Sequence, residues 1–408
     1  MMAFHKKTVR NVPLEHQTVL LRADYNVPLK PNGTIADDFR ILHSIPTVEF
    51  LLKAGCKVVV CSHLGRPEGK RDPSATLKPV AKRLSKLLGK PVTFVDDCVG
   101  DKVKVAVKKM KAGDVVLLEN LRYYKEEEKN DPHFAKRLAE DSGARYFIQD
   151  GFGVVHRAHA STDAITHFLP SVSGLLLEKE VTTILGVMSK PKRPLVAVLG
   201  GAKVSDKIKV IDNFIGIADQ LIIGGAMANT FLKYRGYDVG KSKVEDGEEK
   251  TLDHIYELAS KKVGAAKVDD FLLLPTDVAV APEIGPKQRR KVVSIDAVGV
   301  DEYILDLGTD SIKTMLQHMR GAKTVVWNGT LGMAEYVVFA YGSAKLALAL
   351  AEHESVFSLI GGGDTADFVV HWDPKKGKSF GHVSTGGGAS LDLMAGEVLP
   401  GVAALMDK

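Results

Sequence analysis

The stretch LGGAKVSDKIK, residues 199–209, places two glycines after an apolar run and then two lysines four positions apart. A helix starting near Ser205 would put Lys207 in its first turn, where the positive end of the helix dipole disfavours a cation. Glycines at a strand end let backbone N–H groups approach a phosphate closely. Lys203 and Lys207 therefore indicate either two solvated surface charges or one wall of a site for a negatively charged ligand.

A second set of candidate ligand-binding residues lies in the first half of the sequence, after apolar runs. Its members are Arg22, Asp24, Asn26, Arg40, His63, Arg66, Glu119, Asn120, Arg122, His156, Arg157 and His159. Arginine forms forked hydrogen bonds to carboxylate and phosphate groups. A single arginine of this kind is commonly part of a surface ion pair, but several at one sheet edge predict a site for a small polyanion.

The apolar runs before these residues predict the elements that position them. Eight short runs alternate with longer amphipathic stretches: TVLLRADYNV, CKVVVCSHLG, DVVLLENLR, ARYFIQDGFG, LVAVLGGAKV, DQLIIGGAMA, KTVVWNGTLG and VFSLIGGGDTA. Buried parallel strands with crossover helices have this pattern, and their ligands bind beyond the carboxyl ends of the strands. The sequence therefore predicts an α/β fold with two Rossmann-like domains, each a parallel sheet flanked by helices.

The domain organisation follows from length and from one connecting segment. A chain of 408 residues is too long for one ordinary core. Residues 173–194 begin with apolar positions at helical spacing and end in Gly, Ser and two prolines, which is typical of a helix followed by a boundary. We expect an N-terminal domain over 1–175, a connecting helix over 176–190 and a C-terminal domain over 191–395.

Glycine is concentrated at the predicted strand ends of the second half. Four of these ends read GG, GG, NG and GGGD. Such turns allow backbone amides and helix N-termini to face phosphate, which outlines a nucleotide site. Asp364, after three glycines, indicates either a carboxylate that holds nucleotide-bound Mg²⁺ or the N-cap of the next helix.

Composition and charge narrow the class of protein. Apolar residues make up 45% and charged residues 26%, as in ordinary globular proteins. The first 180 residues carry a net charge of +7 and the rest −2, which favours a small anionic ligand in the N-terminal half. Nucleic acid is not expected, because the basic residues are not interleaved with aromatic ones. The N-terminus has no signal-peptide pattern and no run is long enough to span a membrane, so we expect a cytoplasmic protein with no membrane partner.

Several other patterns have simpler interpretations. Cys56, Cys61 and Cys98 are odd in number and form no CxxC pair, so they predict buried reduced thiols. The acidic run 126–128 and the basic run 102–111 predict solvated faces.

Two known nucleotide-binding motifs are incomplete in this sequence. GYDVGKS at Gly236 lacks the P-loop spacing and predicts a surface loop, and neither GFGVVH nor GGGDTA completes a dinucleotide fingerprint. A dehydrogenase is therefore disfavoured, and phosphoryl transfer suits a basic half paired with a glycine-rich half.

The motifs together resemble the phosphoglycerate kinase family. The shared segments, in family order along nearly the whole chain, are LLRADYNVPL, DDFRI, SHLGRP, LLENLRYYKEE, HRAHAST, LGGAKVSDKI, GGAMANTFL, VVWNG, GGGDTA and STGGGASLDLMAG. The resemblance implies a bilobed, hinge-bending, monomeric kinase. It would transfer a phosphoryl group between 1,3-bisphosphoglycerate and ADP, giving 3-phosphoglycerate and MgATP. The resemblance also implies a hinge near 174–190 and a tail, residues 396–408, that packs back on the N-terminal domain.

The resemblance assigns roles to most, but not all, of the candidate residues. Phosphoglycerate would be held by Asp24, Asn26, Arg40, His63, Arg66, Arg122 and Arg157. The nucleotide would be held by Gly201, Lys203, Lys207, Gly225, Asn328, Glu335, Gly361, Gly362, Gly363, Asp364 and Thr365, with Asp364 as the Mg²⁺ ligand. Arg40, Lys203 and Lys207 would act on the transferring group. The acceptor carboxylate is already ionised at neutral pH, so no general base is expected.

Some positions depart from the family pattern. WNGTLGMAE has Thr330 where the family usually has Pro and Ala334 where it has Phe, next to the expected ribose contact. Gln149 and Gly151 in QDGFG are also unusual, whereas Tyr25 replaces Phe conservatively. An active enzyme is still expected, since no group near the transferring phosphoryl is lost. The alternative is a catalytically silent ligand-binding protein with the same fold.

Overall fold

The computed structural model describes residues 4–408, which form two compact units. The N-terminal unit contains the chain up to Thr182 together with Val398–Lys408. The C-terminal unit contains Thr183–Glu397. The chain therefore passes from one unit to the other twice, and we describe each unit by itself.

The N-terminal unit is built on a six-stranded parallel sheet. Its strands are β1 (Thr18–Arg22), β2 (Lys57–Cys61), β3 (Val92–Val95), β4 (Val115–Leu118), β5 (Tyr146–Gln149) and β6 (Ser171–Ser173), in the order β3-β4-β2-β1-β5-β6. The central strands β1, β2 and β4 are apolar and almost wholly buried, because helices cover both faces of a parallel sheet. The carboxyl ends of β1, β2, β4 and β5 carry the basic residues picked out from the sequence.

Helices connect these strands. They are α1 (Phe39–Lys53), α2 (Lys78–Leu88), α3 (Asp101–Lys108), α4 (Lys125–Glu128), α5 (Pro132–Asp141) and α6 (Leu175–Ser189). Most of them bury one stripe of side chains and leave the opposite face exposed, as the lysine-rich α3 does around its buried Val103. The division between the two units falls within α6, after Thr182.

The C-terminal unit has a second six-stranded parallel sheet and a small antiparallel one. The parallel strands are β7 (Leu195–Leu199), β8 (Gln220–Ile223), β9 (Leu272–Leu273), β13 (Thr324–Asn328), β14 (Phe357–Gly361) and β15 (His382–Val383), in the order β15-β14-β13-β7-β8-β9. The antiparallel strands are β10 (Asp277–Ala281), β11 (Lys291–Ser294) and β12 (Tyr303–Leu307), with β10 in the centre. The antiparallel sheet was not predicted from the sequence.

The helices of the C-terminal unit follow the glycine-rich strand ends. They are α7 (Ile208–Ile217), α8 (Gly225–Tyr234), α9 (Glu249–Val263), α10 (Val268–Phe271), α11 (Thr309–Met319), α12 (Tyr341–Glu352), α13 (Gly363–Trp372) and α14 (Gly388–Met394). The two parallel sheets flanked by helices confirm the predicted fold class. All eight apolar runs form strands of these sheets, and seven further strands lie elsewhere in residues 4–408.

The C-terminal tail pairs with the start of the chain inside the N-terminal unit. Its helix α15 (Pro400–Ala403) places the Gly401 amide 2.9 Å from the Val155 carbonyl. Met406 accepts a hydrogen bond from Lys7, 2.7 Å, and donates one to Ser171, 3.0 Å. Lys6 forms an ion pair with Asp407. These contacts join the last residues of the chain to the β6 edge of the N-terminal sheet.

One further expectation was tested by the fold. Cys56, Cys61 and Cys98 are buried free thiols, as predicted, and burial raises the pKa of Cys61 to about 12. Within residues 4–408, no helix combines the length and the apolar character needed to cross a lipid bilayer.

Candidate functional site

The basic site of the N-terminal unit lies at the carboxyl ends of its central strands; its residues are Arg22, Asp24, Asn26, Arg40, His63 and Arg122. Arg40, in the first turn of α1, donates from Nη1 to Asp24 Oδ2 at 2.9 Å and to the Asn26 carbonyl at 3.2 Å. Asp24 Oδ1 also accepts the Asn26 amide at 3.0 Å. These contacts hold Arg40 against the loop that follows β1.

A second group of contacts joins the loops after β1, β2 and β4. Asn26 Oδ1 accepts the Gly65 amide at 2.9 Å, and Arg122 Nη1 donates to the Gly65 carbonyl at 2.8 Å. Gly65 thus links the two polar side chains. Arg122 Nε also lies 3.2 Å from Glu128 Oε1. Burial lowers the pKa of Arg122, although a guanidinium stays charged at any physiological pH.

His63 is buried within this site. Only 3% of its surface is exposed, and its Nδ1 lies 3.3 Å from Arg22 Nη2 and 4.0 Å from Asp24 Oδ1. Burial and then the positive charges of Arg22, Arg122 and Arg40 lower the pKa of His63 well below its ordinary value. His63 is therefore neutral at physiological pH.

The remaining predicted phosphoglycerate ligands are exposed. Arg66 follows Gly65 directly, and Arg157 lies in the loop after β5. The charge of Arg157 contributes to the lowered pKa values of Arg122 and His159, the latter reaching about 4 chiefly through burial. The structure thus brings Asp24, Asn26, Arg40, His63 and Arg122 together, whereas Arg66 and Arg157 are exposed at the rim of the site.

One expectation for the N-terminal unit was wrong. The acidic run 126–128 was predicted to be a solvated face, but Glu127 has no exposed surface. It accepts hydrogen bonds from the amide and the hydroxyl of Ser161, at 3.0 and 2.5 Å. A charge run in α4 therefore contains one carboxylate that faces the interior, and sequence reasoning missed both Glu127 and Ser161.

The C-terminal unit contains a cavity of about 1000 Å³, here called the C-terminal cavity. Four of the predicted nucleotide residues line it: Gly201, Gly225, Glu335 and Asp364. Thr330 and Ala334, which depart from the family pattern, line it as well. The aromatic residues Tyr303, Tyr341, Phe368 and Trp372 also line it. Sequence reasoning missed these aromatic residues, although Phe368 and Trp372 follow the GGGD strand end at a helical spacing of four.

The glycine loops lie close enough to each other that side chains do not fit between them. A Cβ atom on Gly200 would lie 2.2 Å from the Thr330 carbonyl oxygen. The Gly201 amide donates to the same carbonyl at 3.0 Å, and its own carbonyl accepts the Met227 amide at 2.9 Å. Glycine is therefore required at Gly200 by the packing of the β7 and β13 loops, which places both loops at one edge of the cavity.

Lys207 and Asn328 form the link between the loops after β7 and β13. Lys207 Nζ donates to Asn328 Oδ1 and lies 3.4 Å from the Asn328 carbonyl. Asn328 Nδ2 is buried and makes no hydrogen bond within residues 4–408. A Cβ atom on Gly362 would lie 3.2 Å from this Nδ2, so the GGGD turn packs directly against it. Thr365 Oγ1 accepts the Gly329 amide at 2.7 Å.

The environment of Lys203 and Lys207 differs in part from the expectation. Residues Ser205–Lys207 form a short 3-10 helix that continues directly into α7 at Ile208, so helical structure begins at Ser205, as considered from the sequence, but the α-helix itself begins three residues later. Glu245 accepts the amides of Val204 and Ser205 at 2.8 and 3.1 Å. A carboxylate therefore already stabilises this turn. Lys203 itself is exposed, and its charge helps to lower the pKa of Glu245.

Asp364 is exposed in the first turn of α13, whose N-cap is Gly362. The N-cap alternative considered for Asp364 is therefore wrong, and Asp364 is one of the residues that line the C-terminal cavity. One carboxylate together with phosphate oxygens is a common ligand set for Mg²⁺. Groups of three or more acidic, histidine or cysteine side chains suited to a metal do not occur in residues 4–408.

Comparison with known proteins gives one consistent result. A family model described as phosphoglycerate kinase matches residues 9–397. The phosphoglycerate kinase of Pelotomaculum thermopropionicum is 48% identical over 407 residues, covering 99% of this chain and 100% of the relative. The chloroplastic phosphoglycerate kinase of Volvox carteri is 48% identical over 97% of this chain and 84% of its own. The solved structure of phosphoglycerate kinase from Coxiella burnetii matches with a TM-score of 0.82 at 37% identity, covering 98% of both chains.

Proposed function

The chain belongs to the phosphoglycerate kinase family and is a phosphotransferase with a carboxyl acceptor; on that premise we propose that it transfers a phosphoryl group between 1,3-bisphosphoglycerate and ADP. The products are 3-phosphoglycerate and MgATP, as in glycolysis. The observation that carries the proposal is the basic site, where Arg40 and Arg122 converge with a neutral His63 at one sheet edge. Such a group suits a ligand with a carboxylate at one end and a phosphate at the other.

We assign the phosphoglycerate contacts by type of group. Asn26 and Asp24 would hydrogen-bond its carboxylate and hydroxyl region, and His63 would donate to an oxygen without exchanging its proton. Arg122, with the exposed Arg66 and Arg157, would hold the phosphate. Arg40 is 27% exposed and is held at its inner side by Asp24, so its outer N–H groups remain available to the transferring phosphoryl.

The C-terminal cavity is the proposed nucleotide site. Its apolar and aromatic walls suit a base, and Glu335 lies at the wall where ribose hydroxyls would need an acceptor. Gly201, Gly225 and the Gly361–Gly363 turn leave room for phosphates near Lys203, Lys207, Asn328 and Thr365. Mg²⁺ would enter as part of the nucleotide substrate and Asp364 would hold it, where it neutralises phosphate charge.

The chemical step needs positioning and charge neutralisation rather than a proton acceptor. The acceptor carboxylate of 3-phosphoglycerate is ionised at neutral pH, so no general base is assigned. Lys203, Lys207 and Arg40 would stabilise the charge of the transferring group in an in-line displacement. Because the two proposed sites belong to different units, we propose a closing motion about α6 that excludes water before transfer. We further propose a cytoplasmic monomer with no nucleic-acid or membrane partner.

A coupled assay of ATP-dependent phosphorylation of 3-phosphoglycerate tests the proposal. The purified protein should turn over, and Lys203→Ala should lower kcat by at least about 100-fold, since it removes a charge aimed at the transferring group. The melting temperature of the ligand-free variant should be unchanged, because Lys203 is exposed. Lys250→Ala, an equally exposed lysine of α9, is the matched control and should keep full activity.

Absence of turnover in a folded wild-type protein would contradict the kinase assignment and support a silent ligand-binding protein. Loss of stability in Lys203→Ala with activity preserved would instead return Lys203 to the role of a surface charge.

A further inference from the structure

Arg22, the last residue of β1, is a buried arginine for which the proposed reaction gives no role. It is 1% exposed, and its Nε donates to Ser161 Oγ at 2.8 Å. Its Nη2 lies 3.3 Å from Nδ1 of His63. Arg22 thus connects the interior of the N-terminal unit to the one histidine of the basic site.

The partner on the interior side is Glu127. Ser161 Oγ donates to Glu127 Oε1 at 2.5 Å and the Ser161 amide donates to Oε2 at 3.0 Å. Glu127 Oε1 also lies 4.0 Å from Arg22 Nη2, and both side chains are buried. The carboxylate therefore compensates the buried guanidinium partly through the Ser161 hydroxyl and partly through space.

The donors and acceptors in this chain of contacts fix the direction of each hydrogen bond. A guanidinium has donors and no acceptor, so Arg22 donates both to Ser161 and to His63. The Ser161 hydroxyl accepts from Arg22 and gives its single proton to Glu127. His63 Nδ1 is therefore an acceptor, and the proton of the neutral imidazole lies on Nε2.

The opposite tautomer has no suitable partner. A proton on Nδ1 would face an N–H of Arg22, and the nearest carboxylate oxygen, Asp24 Oδ1, is 4.0 Å away, beyond hydrogen-bond distance. Asp24 Oδ1 already accepts the Asn26 amide. The two polar contacts described here for His63 within residues 4–408 both involve Nδ1, so Nε2 on the other side of the ring is the atom assigned to a ligand oxygen.

We propose that Glu127, Ser161 and Arg22 form a positioning relay that holds His63 as its Nε2–H tautomer, a neutral hydrogen-bond donor to an oxygen of the anionic ligand. The identity of that ligand rests on the proposed function. The relay also anchors the loop after β5, because Ser161 lies four residues beyond Arg157. It therefore orients two ligand-binding side chains from one buried carboxylate.

Nitrogen-detected NMR of His63 in the ligand-free protein tests the relay directly. The wild type should show a protonated Nε2 and an unprotonated Nδ1. Ser161→Ala removes both the acceptor of Arg22 Nε and the hydroxyl that donates to Glu127, so Arg22 should turn toward Glu127 and the Nδ1–H form should gain population. Ser142→Ala is the matched control, since Ser142 is equally buried but donates only to the Ala139 carbonyl, in α5.

Steady-state kinetics separate positioning of His63 from a general structural role, because a general loss of structure would not change the KM for 3-phosphoglycerate alone. Ser161→Ala should raise the KM for 3-phosphoglycerate by about tenfold, the usual effect of leaving one buried hydrogen-bonding group without a partner, and should leave the KM for ATP unchanged. Ser142→Ala should change neither constant. Glu127→Gln, compared with Glu126→Gln in the same helix, gives the same test if Ser161→Ala does not fold.

A wild-type His63 protonated on Nδ1 would overturn the proposal, as would an unchanged tautomer in both Ser161→Ala and Glu127→Gln. Failure of the proposed function is distinguishable, because a wild type that shows the Nε2–H form without turnover would retain the relay and lose the kinase assignment.

Discussion

Lys207 lies in a part of the C-terminal unit where burial disfavours the charged, protonated form of its side chain. Burial lowers the pKa of its ammonium group to about 8, against smaller opposing effects of Asp206 and Asp364. A polyphosphate bound nearby would favour the charged form and raise this pKa again. We therefore predict that nucleotide binding near pH 8 is accompanied by uptake of up to one proton.

Titration calorimetry in two buffers of different ionisation enthalpy measures that uptake. Lys207→Met should abolish most of it, and Lys209→Met should not, because Lys209 is exposed and paired with Glu397. Equal proton uptake by wild type and Lys207→Met would assign the proton to another group.

At the same scale, some functional side chains could be predicted from the sequence and others could not. The types and approximate places of Arg40, His63, Arg122 and Lys207 were predictable, because strand ends of parallel sheets converge at one edge. Glu127 was not, since a carboxylate in a charged run is normally solvated and only the contact with Ser161 shows otherwise. A partner 34 residues away cannot be read from local pattern.

At the scale of elements, the start of α6 depends on a buried carboxylate from another element. Asp150, directly after β5, accepts hydrogen bonds from the amides of Leu176 and Leu177 at 2.9 and 3.3 Å. These amides belong to the first turn of α6, where backbone N–H groups have no acceptor within the helix. A Cβ on Gly174 would lie 2.1 Å from Asp150 Oδ1, so only glycine fits there. Burial nevertheless raises the pKa of Asp150 to about 7.

This raised pKa predicts how the stability of the N-terminal unit depends on pH. An unfolded aspartate loses its proton near its ordinary pKa of 3.8, whereas folded Asp150 keeps its proton up to about pH 7. The folded state thus holds the extra proton in that window, and the free energy of unfolding falls as pH rises, by up to about 1.4 kcal/mol per pH unit. Below the window and above it, Asp150 contributes no slope.

Asp150→Asn should remove this slope and leave those of other groups. The measurement is the melting temperature of wild type and variant across the window, with Asp296→Asn as a control at an exposed position. Parallel curves for wild type and Asp150→Asn would mean that the helix cap holds Asp150 ionised, with hydrogen bonding outweighing burial.

The strands that were predicted from the sequence and those that were not differ in how deeply they are buried. Strands buried on both faces are continuous apolar runs, which is why β1, β7, β13 and β14 were predictable. The edge strand β11 is mostly exposed and reads KVVS, a pattern that many loops share. The antiparallel sheet that it joins depends on pairing with β10, and such pairing has no local signature.

At the scale of the whole molecule, the chain ends in the unit in which it begins. Residues 398–408 belong to the N-terminal unit, whereas all the proposed nucleotide-binding residues lie within 183–397. The tail residue Gly401 contacts Val155, two positions before Arg157, and Met406 pairs with Lys7 and Ser171. The tail is therefore placed to influence the loop after β5, which carries Arg157, and not the walls of the C-terminal cavity.

Deletion of residues 400–408 should consequently lower kcat by at least about tenfold, a loss of the positioning that catalysis needs, while the nucleotide Kd changes less than about twofold. Steady-state kinetics and nucleotide titration of the same preparation measure the two quantities. Lys6→Ala, which removes only the ion pair with Asp407 and the bonds to the Ala403 and Leu405 carbonyls, should give a smaller loss of the same kind. Equal losses of kcat and nucleotide affinity would contradict a tail that acts through the N-terminal unit, because a general loss of folding would lower both together.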